Sequence, residues 1–181
     1  MDKLAPDTYS LARDRLLLAL GYPSERRSLL VAVDGRDGAG KSSFACWLAW
    51  QIGCPVIHLD LFLSGDGLTW KSDDLDRMLA RRLQNRGPLV IEGVLVLDAL
   101  ASVGRTADYV IFVENEGASY SDGLMKEIEP YWRKYGLPTS ATDHVIWREP
   151  EGETICEARA TFAARLRADT GTIAGDRDGR A

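Results

Sequence analysis

Residues 29–52 contain the pattern that most constrains this chain. Residues 29–33 are an uninterrupted apolar run, which predicts a buried strand because no polar side chain is left to face water. Residues 35–42 follow with the spacing Gly-x-x-x-x-Gly-Lys-Ser, and the residues after them are apolar at helical spacing. The segment therefore predicts a strand, a glycine-rich turn and a helix, in that order.

The residue types in this turn are those that bind phosphate. Glycines at positions 35, 38 and 40 permit backbone angles that other residues avoid, so the loop can curl with its N–H groups pointing inward. Lys41 can reach the β- and γ-phosphates of a nucleotide, and the Ser42 hydroxyl can bind Mg²⁺. The residues predicted to bind ATP and Mg²⁺ here are Gly35, Arg36, Asp37, Gly38, Ala39, Gly40, Lys41, Ser42 and Ser43.

Length and composition indicate a single globular domain. The chain has 181 residues, of which 45% are hydrophobic and 27% are charged, as in ordinary proteins with one core. The net charge of −5 argues against a broad nucleic-acid surface, and no apolar run approaches the roughly 20 residues that span a bilayer. Cysteines 46, 54 and 156 lack metal-ligand spacing, and Cys46 is expected to pack among apolar helix residues. We therefore expect a cytoplasmic protein with no nucleic-acid or membrane partner; the oligomeric state is left open.

The rest of the chain alternates predicted helices with predicted strands. The helices cover residues 7–20, 41–52, 73–85, 119–135 and 153–168, with a short one within 94–100, and the strands cover residues 29–33, 55–59, 89–91, 108–113 and 144–147. Pro130 is expected to kink its helix or to start a new one. Leu11 and Leu18, with Tyr9, are expected to form the buried stripe of the first helix.

This alternation predicts an α/β fold with three layers, a five-stranded parallel sheet with helices on both faces. No linker long enough to separate two domains interrupts it. We expect one domain over residues 1–170. The tail over residues 171–181 is rich in Gly, Asp and Arg, a composition that predicts disorder.

Acidic residues stand where three of the predicted strands end. In an open parallel sheet, ligands bind at the carboxyl ends of the strands, which is where Asp34, Asp60 and Glu92 are expected. Asp60 is predicted to be a general base, or a carboxylate linked to the metal, beside the γ-phosphate; alternatively it caps the next turn. Glu92 is predicted to orient a Mg²⁺-bound water or the substrate, with a loop cap as the alternative. Asp34 is expected to brace the loop through its backbone.

Aromatic residues and histidines in this region have two interpretations. Phe62 and Trp70 are candidates for a substrate pocket, because Trp70 lies in a glycine-rich segment after Asp60. The alternative is packing in the core, which is the more common role of aromatic residues at helical spacing. His58 lies within a predicted strand, where a hydrogen-bonded core histidine is the more usual outcome. The helical aromatic residues with the same two interpretations are Tyr131, Trp132 and Tyr135.

Taken together, these residues resemble the uridine kinase-like branch of the P-loop kinases, which has relatives acting on pantothenate and phosphoribulose. The resemblance is carried by residues 31–43, 58–62 and 90–95 and covers roughly residues 28 to 113. It implies a P-loop NTPase fold with a five-stranded core, MgATP as phosphate donor and a nucleoside-like or sugar-like hydroxyl as acceptor. By position, it implies that Asp60 is the base and that Glu92 lies near the metal and the acceptor.

The segment after residue 113 departs from that family, in which an arginine-containing lid closes over the phosphates. The basic residues of segment 114–138 are Lys126, Arg133 and Lys134. An arginine over the transferring phosphoryl group can raise the rate by about 10³ to 10⁵. Arg133 is the catalytic candidate, Arg36 in the loop is a second one, and the alternative for Arg133 is a solvated helix face.

Three functions follow from these expectations. The favoured one is an ATP-dependent kinase in which Lys41 and Asp60 take part in phosphate transfer to a small-molecule hydroxyl. The others are a nucleotide-binding regulatory module and an ATP hydrolase that uses water as acceptor. ATP is preferred to GTP because no Asn/Thr-Lys-x-Asp sequence of the kind that reads guanine occurs in the chain.

Overall fold

In this computed structural model the described residues are 6–65, 68–117 and 122–148. The helices are α1 (Asp7–Leu20), α2 (Lys41–Ile52), α3 (Ser72–Leu83), α4 (Val96–Ser102) and α5 (Asp122–Tyr135), and the strands are β1 (Leu30–Asp34), β2 (Val56–His58), β3 (Leu89–Glu92), β4 (Tyr109–Asn115) and β5 (Asp143–Trp147). The helix predicted over residues 153–168 and the tail predicted over residues 171–181 lie outside the described residues.

The five strands form one parallel sheet in the order β2-β3-β1-β4-β5. The central strand, β1, is buried at every position, as its uninterrupted apolar sequence predicts. From β1 the chain proceeds toward the β2 edge of the sheet, and from β3 it crosses to the opposite side, so the order reverses beside β1. The glycine-rich loop that follows β1 therefore lies at the place where ligands bind in such sheets.

Helices cover both faces of the sheet, which confirms the predicted three layers. On one face, α1 and α2 pack against Val31 and Val33 of β1. On the other face, α3 and α4 pack against Leu30 and Ala32, and α5 packs against Phe112 of β4. Because side chains alternate along a strand, odd-numbered positions of β1 face α1 and α2 and even-numbered positions face the opposite layer. Asp34 therefore faces the layer that contains α5.

Three details predicted for the helices are corrected here. In α1, Leu11 and Leu18 are 54% and 85% exposed, and the buried stripe consists of Tyr9, Ala12, Leu16 and Leu20. This helix has leucines around its circumference, so side-chain type alone does not select the face; the small Ala12 lets the helix approach α2 and the sheet. Cys46 is exposed, because Phe44, Ala45 and Leu48 occupy the inward face of α2. Pro130 lies inside one continuous helix and starts no new one.

None of the helices in the described part of the chain combines the length and apolar character that crossing a bilayer requires.

Candidate functional site

The glycine-rich loop joins β1 to α2 at the carboxyl edge of the sheet. Gly35, Gly38 and Gly40 have φ values of 142°, 71° and 84°, in the region that favours glycine. A Cβ on Gly35 would lie 2.2 Å from the carbonyl oxygen of Val113, so the backbone of β4 also excludes any larger residue there. The glycine spacing therefore corresponds to a tightly curled backbone, as the sequence pattern predicts.

Trp147, at the end of β5, supports this loop from the side. Its Nε1 donates a hydrogen bond to the carbonyl oxygen of Ala39, with an N–O distance of 2.9 Å. A Cβ on Gly40 would lie 2.7 Å from ring carbon Cζ2 of Trp147. The tryptophan thus fixes the last turn of the loop and requires glycine at position 40. Sequence reasoning missed Trp147, although its place at the end of a predicted strand put it on the same edge of the sheet.

Lys41 begins α2 and is only 7% exposed. Its Nζ donates a hydrogen bond to the carbonyl oxygen of Arg36, with an N–O distance of 2.6 Å, so the side chain folds back across the loop. Burial lowers the pKa of Lys41, and the nearby carboxylates, first among them Glu92, Asp34 and Asp60, act in the opposite direction. The loop therefore holds one buried ammonium group among acidic side chains.

Glu92 ends β3, where it contacts both α2 and β2. Its Oε1 accepts a hydrogen bond from Ser42 Oγ at 3.0 Å and lies 2.6 Å from Nδ1 of His58. His58 stands opposite Glu92 in the β2–β3 register, which explains why the two side chains meet. Because a carboxylate oxygen only accepts, Nδ1 is the protonated ring nitrogen. The structure thus brings Ser42 and Glu92 together, and it adds His58 as a hydrogen-bond partner of Glu92.

Asp60 lies beyond the end of β2 rather than within it. The strand ends at His58, and residues Leu59–Phe62 form a 3₁₀ turn. Leu59 anchors this turn: a Cβ on Gly93 would lie 2.8 Å from the Cβ of Leu59, so the two segments are in close contact. Asp60 itself is exposed, and its negative charge acts to raise the pKa of Lys41. Within the described residues, its carboxylate makes no hydrogen bond or ion pair.

Phe62 is the last residue of this turn, and Trp70 is paired with the residue that follows it. The Lys71 N–H donates to the carbonyl oxygen of Phe62 at 2.7 Å, and Leu63 bridges Trp70 in antiparallel fashion. Both aromatic rings are partly buried. Phe62 packs on the cluster beneath α3 and α4, and Trp70 lies between that cluster and the one beneath α5. They therefore combine core packing with some exposure, and their part in binding a substrate stays a prediction.

Asp34 makes its contacts on the opposite face of the sheet from Glu92. Its Oδ1 accepts a hydrogen bond from the Gly35 N–H at 2.7 Å, so it braces the start of the loop. Its Oδ2 accepts one from the hydroxyl of Tyr131 on α5, and that hydroxyl in turn accepts from the Leu97 N–H at 3.1 Å. Burial raises the pKa of Asp34 to about 6, while these hydrogen bonds to Tyr131 and Gly35 act to lower it. Tyr131 thereby links α5 to the loop.

The two candidate arginines lie in different places. Arg133 is exposed on α5, two residues from Tyr131 and therefore on roughly the opposite side of the helix. No hydrogen bond or ion pair joins Arg133 to the loop in the part of the chain that is described. The guanidinium carbon of Arg36 lies 4.9 Å from the ring centre of Trp132, so Arg36 connects the loop to α5.

The residues available for a metal ion fit magnesium better than a transition metal. Across the described segments, no group of three or more His, Cys, Asp and Glu side chains is arranged to hold a metal ion. Magnesium does not need such a group, because it is usually bound by one or two protein oxygens together with substrate phosphates and waters. The Ser42 hydroxyl and the Glu92 carboxylate, 3.0 Å apart beside the loop, are oxygen ligands of this kind.

No protein-family model matches the chain, and no curated protein matches its sequence. Among solved structures, one described as a possible uridine kinase from Bacillus stearothermophilus is similar, with a TM-score of 0.53 and 16% identity over 77% of this chain and 97% of that one. This chain shares the fold of that structure, an α/β fold with a five-stranded parallel sheet. The similarity confirms the three-layer fold that the sequence resemblance implies.

Two further solved structures are similar to this chain with lower TM-scores. A gluconokinase from Sinorhizobium meliloti has a TM-score of 0.43 and 20% identity over 82% of this chain and 99% of that one. A sugar kinase from Janibacter has a TM-score of 0.44 and 17% identity over 78% of this chain and 95% of that one.

Proposed function

We propose that this protein is a kinase that transfers the γ-phosphate of MgATP to a hydroxyl group of a nucleoside-like or sugar-like small molecule. The observation that supports this most directly is the arrangement around the loop. Lys41 is buried in the curl, Ser42 and Glu92 meet beside it, and Asp60 is exposed at the same edge of the sheet. Phosphate transfer needs groups that bind the donor, here Lys41 and Ser42, on one side of the phosphoryl group. It needs a base for the acceptor hydroxyl, here Asp60, on the other side.

The donor half of the site consists of the loop, Lys41 and the residues beside it. The loop N–H groups and the positive end of α2 bind phosphate oxygens, and the Lys41 ammonium bonds to the outer phosphates. Ser42 and Glu92 hold Mg²⁺, which when bound neutralises charge on the β- and γ-phosphates. With the metal bound, Ser42 would give up its hydrogen bond to Glu92, and His58 would still orient the Glu92 carboxylate.

The acceptor half consists of Asp60 with Phe62 and Trp70. Asp60 is exposed and makes no hydrogen bond or ion pair with any described residue, so its carboxylate can accept the proton of an attacking hydroxyl; its negative charge also favours the charged form of Lys41. Phe62, in the same turn as Asp60, and Trp70, which follows it in the chain, supply partly exposed aromatic surface. In this proposal Arg36, beside Trp132, contributes positive charge near the phosphates, and the exposed Arg133 on α5 is the second candidate for that role.

The test is the release of ADP from ATP and Mg²⁺, measured with and without a panel of nucleosides, sugars and vitamins that bear hydroxyl groups. A kinase shows release that depends on one acceptor, and a phosphorylated product appears in equal amount. Release without any acceptor supports the hydrolase instead, and nucleotide binding without release supports the regulatory module. Either of these two results contradicts the proposal.

Two substitutions separate the halves of the site. Lys41→Ala is expected to remove most nucleotide binding, and with it turnover. Asp60→Asn is expected to leave nucleotide binding intact and to lower acceptor-dependent turnover by about 10² to 10⁴, the usual contribution of a general base. The matched control is Glu25→Gln, which removes an exposed carboxylate at the opposite edge of the sheet. Unchanged turnover in Asp60→Asn contradicts the role assigned to Asp60.

The cellular setting is part of the same proposal. The net charge of −5 supports the absence of a nucleic-acid partner, and the odd number of cysteines, which argues against a disulfide framework, supports a cytoplasmic location.

A further inference from the structure

A cleft of about 460 Å³ lies at the amino edge of the sheet, where β1 and β3 begin side by side. It is lined by residues that precede β1, by Gly53 at the end of α2, and by residues 86–88 before β3. The nucleotide loop lies at the other end of α2, and the 12 residues of this helix separate the two places by roughly 18 Å. The cleft is therefore distinct from the site described above.

The size of the cleft suits a small molecule. Ligand sites in proteins commonly have volumes of about 300–1,000 Å³, and this cleft falls within that range. Its walls combine charged and hydroxyl side chains with the apolar rings of Pro23 and Pro88. A mostly apolar surface with a few polar groups that converge on one place is typical of such sites, whereas the polar groups here outnumber the apolar ones. The ligand that fits is accordingly a polar one.

Arg26 is fixed in the wall of this cleft with one donor unused. Its Nη1 donates a hydrogen bond to the carbonyl oxygen of Ile52, the last residue of α2, as basic side chains often do at the end of a helix. Its Nε is buried and has no hydrogen-bond acceptor among the described residues. Native structures rarely keep a buried N–H without a partner. Bonding to the helix end therefore leaves one donor of this guanidinium group unsatisfied.

Arg86 brings a second guanidinium group to the cleft from a different segment. It is exposed, and its side chain makes no hydrogen bond or ion pair with any residue that the structure describes. Glu25 is the one carboxylate among the lining residues, so two guanidinium groups against one carboxylate leave a net positive charge. The chain as a whole has a net charge of −5. A positive cleft in an acidic chain favours an anionic ligand.

Two serine hydroxyls add to these donors. Ser28 Oγ accepts a hydrogen bond from the Gly87 N–H at 3.4 Å, which leaves the hydroxyl proton of Ser28 available to donate. The Ser24 hydroxyl lines the same cleft. A phosphate group has three acceptor oxygens and can use donors that come from several segments, whereas a carboxylate has two oxygens in one plane. The donor set therefore fits phosphate better than carboxylate.

We propose that this cleft binds a small organic molecule through its phosphate group, with Arg26, Arg86 and Ser28 as the residues that contact the phosphate. Guanidinium groups suit this role because they are always charged and present several N–H donors in a fixed plane. The volume beyond the phosphate holds the organic part of the ligand. The inference concerns a site apart from the nucleotide loop, and it does not depend on the function proposed above.

The first experiment locates the bound anion, with inorganic phosphate as the probe. The full-length protein is treated with phenylglyoxal, which modifies arginine side chains, with and without phosphate at constant ionic strength, and peptide mass mapping gives the rate at each arginine. We expect saturating phosphate to slow modification of Arg86 by about threefold or more. Arg27 is the internal control, because it is also exposed but does not line the cleft. Slowing at Arg86 that is no greater than at Arg27 overturns the proposal.

The second experiment measures affinity for inorganic phosphate by calorimetry. It uses Lys41→Ala as the background, so that the nucleotide loop contributes as little as possible to the signal. We expect Arg86→Gln to weaken binding by at least about fivefold, as loss of a charge-assisted contact does, and Arg27→Gln to change it by less than about twofold. Arg86 contacts no described residue through hydrogen bonds or ion pairs, so its replacement leaves the fold intact. Equal affinities of the two variants overturn the proposal.

Succinate tests the choice of phosphate over carboxylate. At pH 8 both anions carry about two negative charges, so a difference between them reports on shape and on the number of acceptors rather than on charge. We expect succinate to slow the modification of Arg86 less than phosphate does at the same concentration. Equal or greater slowing by succinate overturns the assignment of a phosphate group.

These readouts are independent of the proposed kinase activity. Failure of the protein to bind MgADP contradicts the proposed function, whereas the comparison of Arg86 with Arg27 still decides whether the cleft binds phosphate. Absence of protection at Arg86 overturns the cleft and leaves the kinase proposal unchanged.

Discussion

Replacing Tyr131 with phenylalanine removes one oxygen atom from the contact between α5 and the nucleotide loop. That hydroxyl donates to Asp34 and accepts from the Leu97 N–H at 3.1 Å. Tyr131 is 3% exposed and Asp34 is 1% exposed, so bulk water does not replace the lost hydrogen bonds. The phenyl ring keeps the packing against Phe112 and Leu137, so the substitution isolates the polar interaction.

The expected cost follows from the two hydrogen bonds. One to a charged group contributes about 1.5–3 kcal/mol, and a buried backbone N–H left without a partner costs about 1–3 kcal/mol. Partial relaxation around Leu97 reduces the total. We therefore expect Tyr131→Phe to lower the free energy of unfolding by about 2–4 kcal/mol at pH 8, where Asp34 is ionised.

The cost depends on pH because of Asp34. Burial raises its pKa from 3.8 to about 6, so the contribution of Asp34 to stability is complete below pH 3.8 and is lost as pH rises through about 6. The hydroxyl of Tyr131 favours the ionised carboxylate and lowers this pKa, so its removal raises the pKa of Asp34 further. At pH 5 the carboxyl is mostly protonated, and we expect the cost to be smaller by about 1 kcal/mol.

Urea unfolding of the wild type and the variant at pH 5 and pH 8, followed by tryptophan fluorescence, measures both quantities. The control is Tyr135→Phe, whose hydroxyl bonds to the Leu97 carbonyl oxygen at 3.3 Å and to Asp98 at 2.8 Å, away from Asp34. Because Tyr135 is less buried, we expect it to lose about 1 kcal/mol or less, equally at both pH values. A loss in Tyr131→Phe that does not change between pH 5 and pH 8 refutes the coupling to Asp34.

Three further predictions concern the loop. Gly40→Ala is expected to destabilise the protein more than Gly53→Ala by about 1–3 kcal/mol in thermal unfolding, since both glycines have positive φ but only the first has a neighbour at 2.7 Å. Equal losses would show that φ alone matters. Trp147→Phe removes the hydrogen bond to Ala39 and is expected to weaken nucleotide binding by about three- to tenfold in calorimetry. An unchanged affinity would show that other contacts hold the loop. Ser42→Ala is expected to abolish most of the gain in ADP affinity that Mg²⁺ confers over a titration in EDTA; an undiminished gain would remove Ser42 from the metal site.

Several features of the site were open to prediction because their signals are local. The glycine spacing of residues 35–42 predicts the curled loop, and the observed φ values agree with it. The apolar runs predict the five strands to within one or two residues at each end. Alternation along β1 also predicts that the side chains of Asp34 and Val33 face opposite layers, as they do.

Other features depend on which segments pack together. The leucines of α1 surround the helix, and contact with α2 and β5 decides that Leu11 and Leu18 remain exposed. In the same way, packing of the inner face of α2 turns Cys46 outward toward His58. Neither outcome follows from side-chain type, because both sides of these helices carry apolar residues.

The sequence by itself determined a phosphate-binding loop between a buried strand and a helix, since backbone freedom at glycine and unbroken apolar character are properties of neighbouring residues. Only the tertiary structure decided which side chains meet at that loop. The pairing of β2 with β3 puts His58 opposite Glu92, and β5, more than a hundred residues from the loop, brings Trp147 against Gly40. Strand order and register are set by the packing of the whole sheet, so no local pattern specifies these contacts.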